Sequence, residues 1–341
     1  MPLSSIQDLL PLVDKPSRYL GTEVNTYKKD FSRVQLKIAL AFPDLYEIGT
    51  SHFGMQILYH ILNQRQNIAA ERVFSPAEDM ERLLRSSRVP LASLESQYPL
   101  HQFDIIGFSL LYELNYTNML TILDLGGVPF YASQRAGSDP LIIAGGPCAS
   151  NPEPIADFFD AIVIGDGENL ILEMADIRIQ MENDGGLDKN ALLKKWSQLE
   201  GVYVPSVFQV AYNDKGHQIT RPLKEDGSTG QSRIKRAIVS DLNQALFPDR
   251  PVVPYGKPVH DRLRLEISRG CTRGCRFCQA GMIYRPVRER SMDTVMDLTD
   301  RCLQNTGYED VSLLSLSTGD YTGISCLLYT SPSPRDLIAH L

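Results

Sequence analysis

The feature that most constrains how this chain can fold is a repeated exchange between two apolar periods. Strand-like runs at 34–42 (VQLKIALAF), 69–74 (AAERVF), 103–111 (FDIIGFSLL), 140–146 (PLIIAGG) and 161–167 (AIVIGDG) alternate with stretches whose apolar residues recur at helical spacing, at 54–64, 78–87, 116–125 and 168–182, with a short helix near 154–159. Strands that are apolar on both faces need helices on both faces, and joining them through helices makes the sheet parallel. The predicted class is therefore α/β: a doubly wound, Rossmann-like parallel sheet over residues 34–182, preceded by a polar lead-in at 1–33. Open sheets of this kind bind ligands beyond the carboxyl ends of their strands. Gly145 and Gly146 follow one such end, and Gly165 and Gly167 the next, so these four are candidate cofactor-binding positions, although glycines also turn chains at strand exits. No Gly-x-Gly-x-x-Gly follows the first strand, which argues against a dinucleotide site.

Residues 183–258 read as a hairpin and linker. A charged stretch at 183–195 is a predicted boundary, two strand-like runs flank the turn at 213–216, and 224–233 is polar and rich in glycine and serine. The proline-spaced run 246–258 then leads, extended, into a strand at Leu263, Leu265 and Ile267.

After that strand stand Cys271, Cys275 and Cys278, in the spacing Cys-x3-Cys-x2-Cys. Thiolate sulfur selects zinc or iron-sulfur clusters, and three ligands on one loop leave a coordination position open for a substrate or cofactor. Gly270 and Gly274 let the backbone turn tightly there, and Phe277 places an apolar ring before the last thiol. A structural zinc knuckle, with His260 or Cys302 as fourth ligand, is the alternative, but such sites usually pair their ligands in two short units. Arg262, Arg264, Arg269, Arg273, Arg276, Arg285, Arg288 and Arg290 crowd the same region, against Asp261, Glu266 and Glu289. They suit neutralising an anionic cluster, holding a carboxylate or phosphate, meeting RNA, or simply forming a salt-bridged face.

The motif Cys-x3-Cys-x-aromatic-Cys resembles that of the radical S-adenosylmethionine (SAM) superfamily, and Cys271, Cys275 and Cys278 match its three 4Fe-4S ligands. The run from Phe103 through IIAGGPCASNPEPIADFFDAIVIGDGE is similar to the cobalamin-binding-like domain that precedes the radical domain in one subgroup. The resemblance spans most of residues 15–321. It implies that residues 259–322 open a partial (β/α)6 barrel, that an open iron chelates SAM, and that one electron cleaves a carbon-sulfur bond to give a 5'-deoxyadenosyl radical. The exit of the second barrel strand helps hold SAM in that family, which makes Ser317, Thr318 and Asp320 candidates beside Phe277. Cobalamin is a possible further cofactor, but the Asp-x-His-x-x-Gly signature is absent, and His52-Phe53-Gly54 is only a partial echo of it. The implied partners are small-molecule cofactors and a reductant such as flavodoxin or ferredoxin.

Composition bounds the rest. The 341 residues, 43% hydrophobic and 22% charged, with net charge -7, suit an ordinary two-domain globular protein rather than a nucleic-acid coat. Six cysteines, three of them clustered, fit a metal site in a reducing compartment, and neither a signal peptide nor a spanning segment is evident, so the expectation is a cytoplasmic protein without membrane contact. A partial barrel needs on the order of 150 to 200 residues, whereas 80 follow Asp261. The chain is thus expected to be a fragment, truncated near 322, inactive alone, with a non-native tail at 323–341. Three functions compete: a radical SAM enzyme modifying an unknown substrate, a methylthiotransferase-like enzyme acting on RNA or protein, and a non-catalytic iron-sulfur or zinc module. The second would carry three more cluster cysteines ahead of Cys271, where only Cys148 occurs.

Overall fold

The structure is a computed structural model and describes residues 5–222, 234–256 and 258–330. Its larger part is a six-stranded sheet of order β2-β1-β3-β4-β5-β6. Its strands are β1 (Leu36–Phe42), β2 (Ile68–Phe74), β3 (Ile105–Ser109), β4 (Leu141–Gly145), β5 (Ala161–Val163) and β6 (Val202–Tyr203). All neighbours are parallel except β5 and β6. The doubly wound sheet expected from the sequence is present.

The twofold period of the strands divides two cores. In β1, Ala39 and Ala41 enter one core, while Leu36, Ile38, Leu40 and Phe42 enter the other. The first is closed by α1 (Ile6–Leu9), α4 (Glu78–Ser87) and α5 (Asn115–Leu125) through Leu9, Leu84 and Ile122. The second lies under α3 (Phe53–Gln64), α6 (Glu168–Asn183) and α7 (Lys189–Trp196) through Leu62, Met174 and Trp196. Small residues on one face of β1 let α4 and α5 approach, and branched ones on the other fill a deeper space.

Three features depart from the sequence reading. The charged stretch taken as a boundary at 183 contains α7, and Val202–Tyr203 adds a sixth strand, so residues 183–204 complete the sheet domain instead of starting a linker. α7 was hidden because Leu192, Leu193 and Trp196 make only one short apolar stripe among lysines. The polar lead-in is pinned by buried charge: Arg72 on edge strand β2 pairs with Glu95 at 2.6 Å and with Glu23 at 3.0 Å, and Tyr46 of α2 (Tyr46–Gly49) donates to Glu23. Finally, α10 (Ile324–Thr330) lies in the expected non-native tail, yet its Leu327 is buried.

The expected hairpin is present as β7 (Phe208–Tyr212) and β8 (Gln218–Pro222), antiparallel; the loop predicted at 224–233 lies outside the described residues. Residues 234–256 then pass along the exit of β5, where Ala237 bridges Gly165. A third core gathers β9 (Leu263–Glu266), α9 (Met292–Thr306) and β12 (Val311–Leu314), with β9 and β12 parallel. Strand, cysteine loop, helix and parallel strand follow in the order expected of an opening barrel. α9 starts at Ser291, whose hydroxyl accepts from Thr294 N at 3.3 Å, and ends at Gly307 in the left-handed region at φ 73°.

Gly165 has φ +114°, and a Cβ there would run into the Ala237 carbonyl, whereas the nearest atom to a Cβ on Gly167 is 3.8 Å away. Gly165→Ala is expected to cost about 3 kcal/mol through strain and overpacking, and Gly167→Ala at most about 0.5 kcal/mol. Urea unfolding of the two variants checks the contrast.

Candidate functional site

A cavity of about 540 Å³ opens where the carboxyl ends of β1, β3, β4 and β5 face β9 and β12. Its origin lies in the sheet. On the face that carries Ile38, Leu40 and Ile143, residues 107 and 145 are glycines, so side chains are missing where the strands end and a hollow forms beneath α3. Gly145, Gly146, Gly165 and Gly167 all line it, so four candidates read from two separate strand exits converge on one space. Their reasons for being glycine differ. Gly146, at φ +104°, lets the chain pass the Leu110 carbonyl, and Gly165 admits the linker, while Gly145 and Gly167 leave room on the cavity side. Gly107 was missed; its signal was an isolated glycine inside an apolar strand, which marks close approach by another group.

The cysteine loop joins this cavity at its base. β10 (Ser268–Arg269) pairs antiparallel with β11 (Arg288–Glu289), and between them the loop carries Cys271, Cys275, Cys278 and α8 (Ala280–Ile283). Gly270, at φ +87°, sits where a Cβ would strike the carbonyls of Tyr284 and Pro286, which pinches the two ends together. Gly270 and Tyr284 line the cavity. Gly274, at φ +66°, turns the chain, Cys278 N donates to Cys275 O at 3.1 Å, and Arg273 N donates to Cys271 Sγ at 3.5 Å. Cys271, Cys275 and Cys278 form no disulfide.

Among the described residues no three ligand-type side chains, the cysteines included, stand in a metal-holding group. The fit to a thiolate-bound cluster is one of donor chemistry and loop closure: three unbridged thiols on one pinched loop, with Cys275 exposed and Phe277 92% exposed at its tip. The zinc alternative loses one ligand. Cys302 is fully buried in the third core with its thiol on Pro248 O at 3.5 Å, and burial raises its pKa to about 12. It is a small core residue.

Ser317, Thr318 and Asp320 leave β12 as expected, in a short turn at Thr318–Asp320. Asp320 accepts from Ser317 Oγ at 2.7 Å and forms an ion pair with Arg273, so this turn meets the cysteine loop directly. Thr318 shares a hydrogen bond with Ser315, which lines the cavity.

Three arginines of the stretch, Arg269, Arg288 and Arg290, form a buried seam. Asp166 and Glu168, in the Gly-Asp-Gly-Glu exit of β5, grip the hairpin: Asp166 pairs with Arg288 and with Arg269 at 3.5 Å, and Glu168 pairs with Arg269. Arg269 also meets Glu266 at 2.7 Å, and Arg290 reaches Glu266 at 3.3 Å. Burial opposes the charge on Arg269, yet Glu266 and Glu168 hold its pKa above the ordinary value. Val239 N from the linker donates to Asp166 at 2.9 Å, and Val239 O accepts from Arg288. A strand exit that the sequence offered as a ligand cradle is therefore also a latch between the sheet and the hairpin that carries the cysteines.

His52 caps α3, its Nδ1 accepting from Met55 N at 3.2 Å. Burial, with a further push from Arg264, lowers its pKa to about 4. Because the unfolded ring titrates near 6.5, the unfolded chain takes up the proton first as pH falls from 6.5 towards 4, and stability is lost over that window.

Two outcomes follow. His52→Gln is expected to flatten the decline in stability between pH 6.5 and 4, by up to about 3 kcal/mol and less where water in the cavity reaches the ring; urea midpoints across that range check it. Asp166→Asn leaves Arg288 with a weaker partner and is expected to cost about 3 kcal/mol. Its signature is faster amide hydrogen exchange confined to the hairpin and residues 237–239.

The family model described as radical SAM proteins, N-terminal, matches residues 54–205. An uncharacterized protein of Methanocaldococcus jannaschii is 26% identical over 286 residues, covering 83% of this chain and 50% of its own length, so this chain spans half of that relative. Two structures of the radical S-adenosylmethionine methyltransferase TsrM from Kitasatospora setae align at 13% and 12% identity, each over 86% of this chain, with TM-scores of 0.46 and 0.47. They cover 50% and 51% of the TsrM chain; one holds tryptophan and aza-SAM, the other cobalamin and a [4Fe-4S] cluster. Residues 54–205 are thus similar to the N-terminal domain of radical SAM proteins.

Proposed function

We propose that this chain is part of a radical SAM enzyme in which Cys271, Cys275 and Cys278 hold a 4Fe-4S cluster and the interdomain cavity receives the molecule to be modified. The observation that carries the reading is the convergence of the pinched cysteine loop and the glycine-lined strand exits on one cavity. A cluster with one open iron would supply one-electron reduction of SAM; everything else is the work of the chain. Phe277 on the loop and Ser317, Thr318 and Asp320 on the neighbouring turn are the residues that would hold SAM, and the Asp320 to Arg273 ion pair ties turn to loop. The latch at Asp166 and Glu168 keeps the loop against the cavity floor. The apolar walls at Ile38, Leu40 and Ile143 exclude water from a reactive intermediate. The electron would come from a flavodoxin- or ferredoxin-type donor.

Cobalamin belongs in the reading as a second cofactor. Gly145, Gly146, Gly165 and Gly167, which line the cavity at the strand exits, are the residues that would admit a corrin. His52 is engaged in the helix cap, so its Nδ1 is not free to serve as a cobalt ligand. The methylthiotransferase alternative has only Cys148, 7% exposed, in the sheet domain.

Anaerobic reconstitution with iron and sulfide is expected to give thiolate-to-iron absorbance that each of Cys271→Ala, Cys275→Ala and Cys278→Ala abolishes, and an electron-spin signal of the reduced cluster that changes on adding SAM. A zinc ion with four protein ligands, or a signal indifferent to SAM, overturns the assignment. Hydroxocobalamin co-eluting with the protein, less so for Gly145→Leu, checks the second cofactor.

A further inference from the structure

Of the arginines around the cysteine loop, Arg269, Arg288 and Arg290 are engaged by carboxylates, as is Arg273 at its tip. Arg264 is different. It lies on β9, lines the cavity, and among the described residues has no carboxylate partner. Burial without that compensation lowers its pKa to about 10, and its charge helps to depress the pKa values of His52 and His260.

Arg264 also lines a second, smaller void of about 30 Å³ that shares Ser51, Phe53 and His260 with the large cavity. Two further orphaned donors belong to residues of that void. Thr50 is 3% exposed and its Oγ1 has no hydrogen-bond partner, and Arg262 Nε is likewise buried without one. No aspartate or glutamate lines the void. A space bounded by two guanidinium groups and a free hydroxyl, with no acid to answer them, calls for an anionic acceptor. Its volume of about 30 Å³ admits about two water-sized oxygens, the size of a carboxylate group. The adjoining cavity is walled chiefly by apolar side chains such as Leu40, Phe42 and Ile171.

We propose that Arg264 and Arg262, with Thr50, form a carboxylate-binding end to the interdomain cavity, so that the cleft takes an acid with an apolar body: carboxylate in the small void, hydrocarbon or aromatic part against the sheet. This names a substrate class for the cleft and rests on the reading of that cleft as the ligand site. It makes no use of the iron-sulfur chemistry.

The test compares 1-pyrenebutyrate with the uncharged 1-pyrenebutanol by fluorescence titration of the 341-residue chain at pH 7.5. The wild type is expected to bind the acid at least about tenfold more tightly than the alcohol, the equivalent of one charge-assisted contact. Arg264→Gln should reduce that ratio to about twofold with the affinity for the alcohol unchanged, which also shows that the cavity is intact, while Arg264→Lys keeps part of the preference. Thr50→Val, isosteric and uncharged, should lower the affinity for the acid several-fold. Equal affinity of the wild type for acid and alcohol, no binding of either, or a preference that survives Arg264→Gln overturns the proposal; should that variant not fold, the wild-type ratio and Thr50→Val decide. Iron-thiolate absorbance measured on the same preparations separates the two readings: its loss sinks the radical chemistry and leaves the acid preference standing.

Discussion

The arrangement depends on the ion-pair seam between the Gly-Asp-Gly-Glu exit of β5 and the hairpin that carries the cysteine loop. Asp166 and Glu168 are each 8% exposed at the side chain, and they face Arg288 and Arg269 at 5% and 12%. A buried pair of this kind adds little net stability over apolar packing, since desolvation offsets most of the attraction. Its value is geometric. Charged groups that cannot be left unpaired accept only one placement of the hairpin, and that placement puts Gly270 and Tyr284 on the cavity wall. The linker reinforces it, because Val239 bonds Asp166 through its amide and Arg288 through its carbonyl.

The cavity and the seam are two results of one sequence device, small residues at strand ends. Gly107 and Gly145 remove side chains from the sheet face, and Gly165 admits the linker backbone beside β5. The hollow survives because the third core, with Leu265 and Ile267 fully buried, roofs it without filling it. Arg264, between Leu263 and Leu265, lines the space instead, and its charge is answered by no acid among the described residues. Arg269, Arg273, Arg288 and Arg290 are answered by acids, whereas Arg264 is not.

The alternation of strands and helices was legible because each strand is buried on both faces and each helix keeps one apolar side, patterns that local sequence records. α4 falls at residues 78–87 as its periodicity predicts. α7 and β6 were not legible: one has a single short stripe among lysines, and the other is two residues long and is a strand only because β5 offers it an edge. The arginine-rich stretch was ambiguous for the same reason. Arg264 and Arg269 look alike in sequence, and only the fold shows that acids from residue 166 onward reach one and not the other.

By itself, then, the sequence determined the class of the sheet, the position of the thiol loop and the glycine-marked strand ends, since those follow from the period of apolar residues and from the spacing of cysteines along one short segment. The tertiary structure alone decided that the four glycines share a cavity, that Asp166 and Glu168 act as a latch, and that Arg264 faces a void with Thr50 and Arg262. Those relations join residues up to about two hundred positions apart, and contact at such separation is set by how the sheet and the third core pack, which no local pattern encodes.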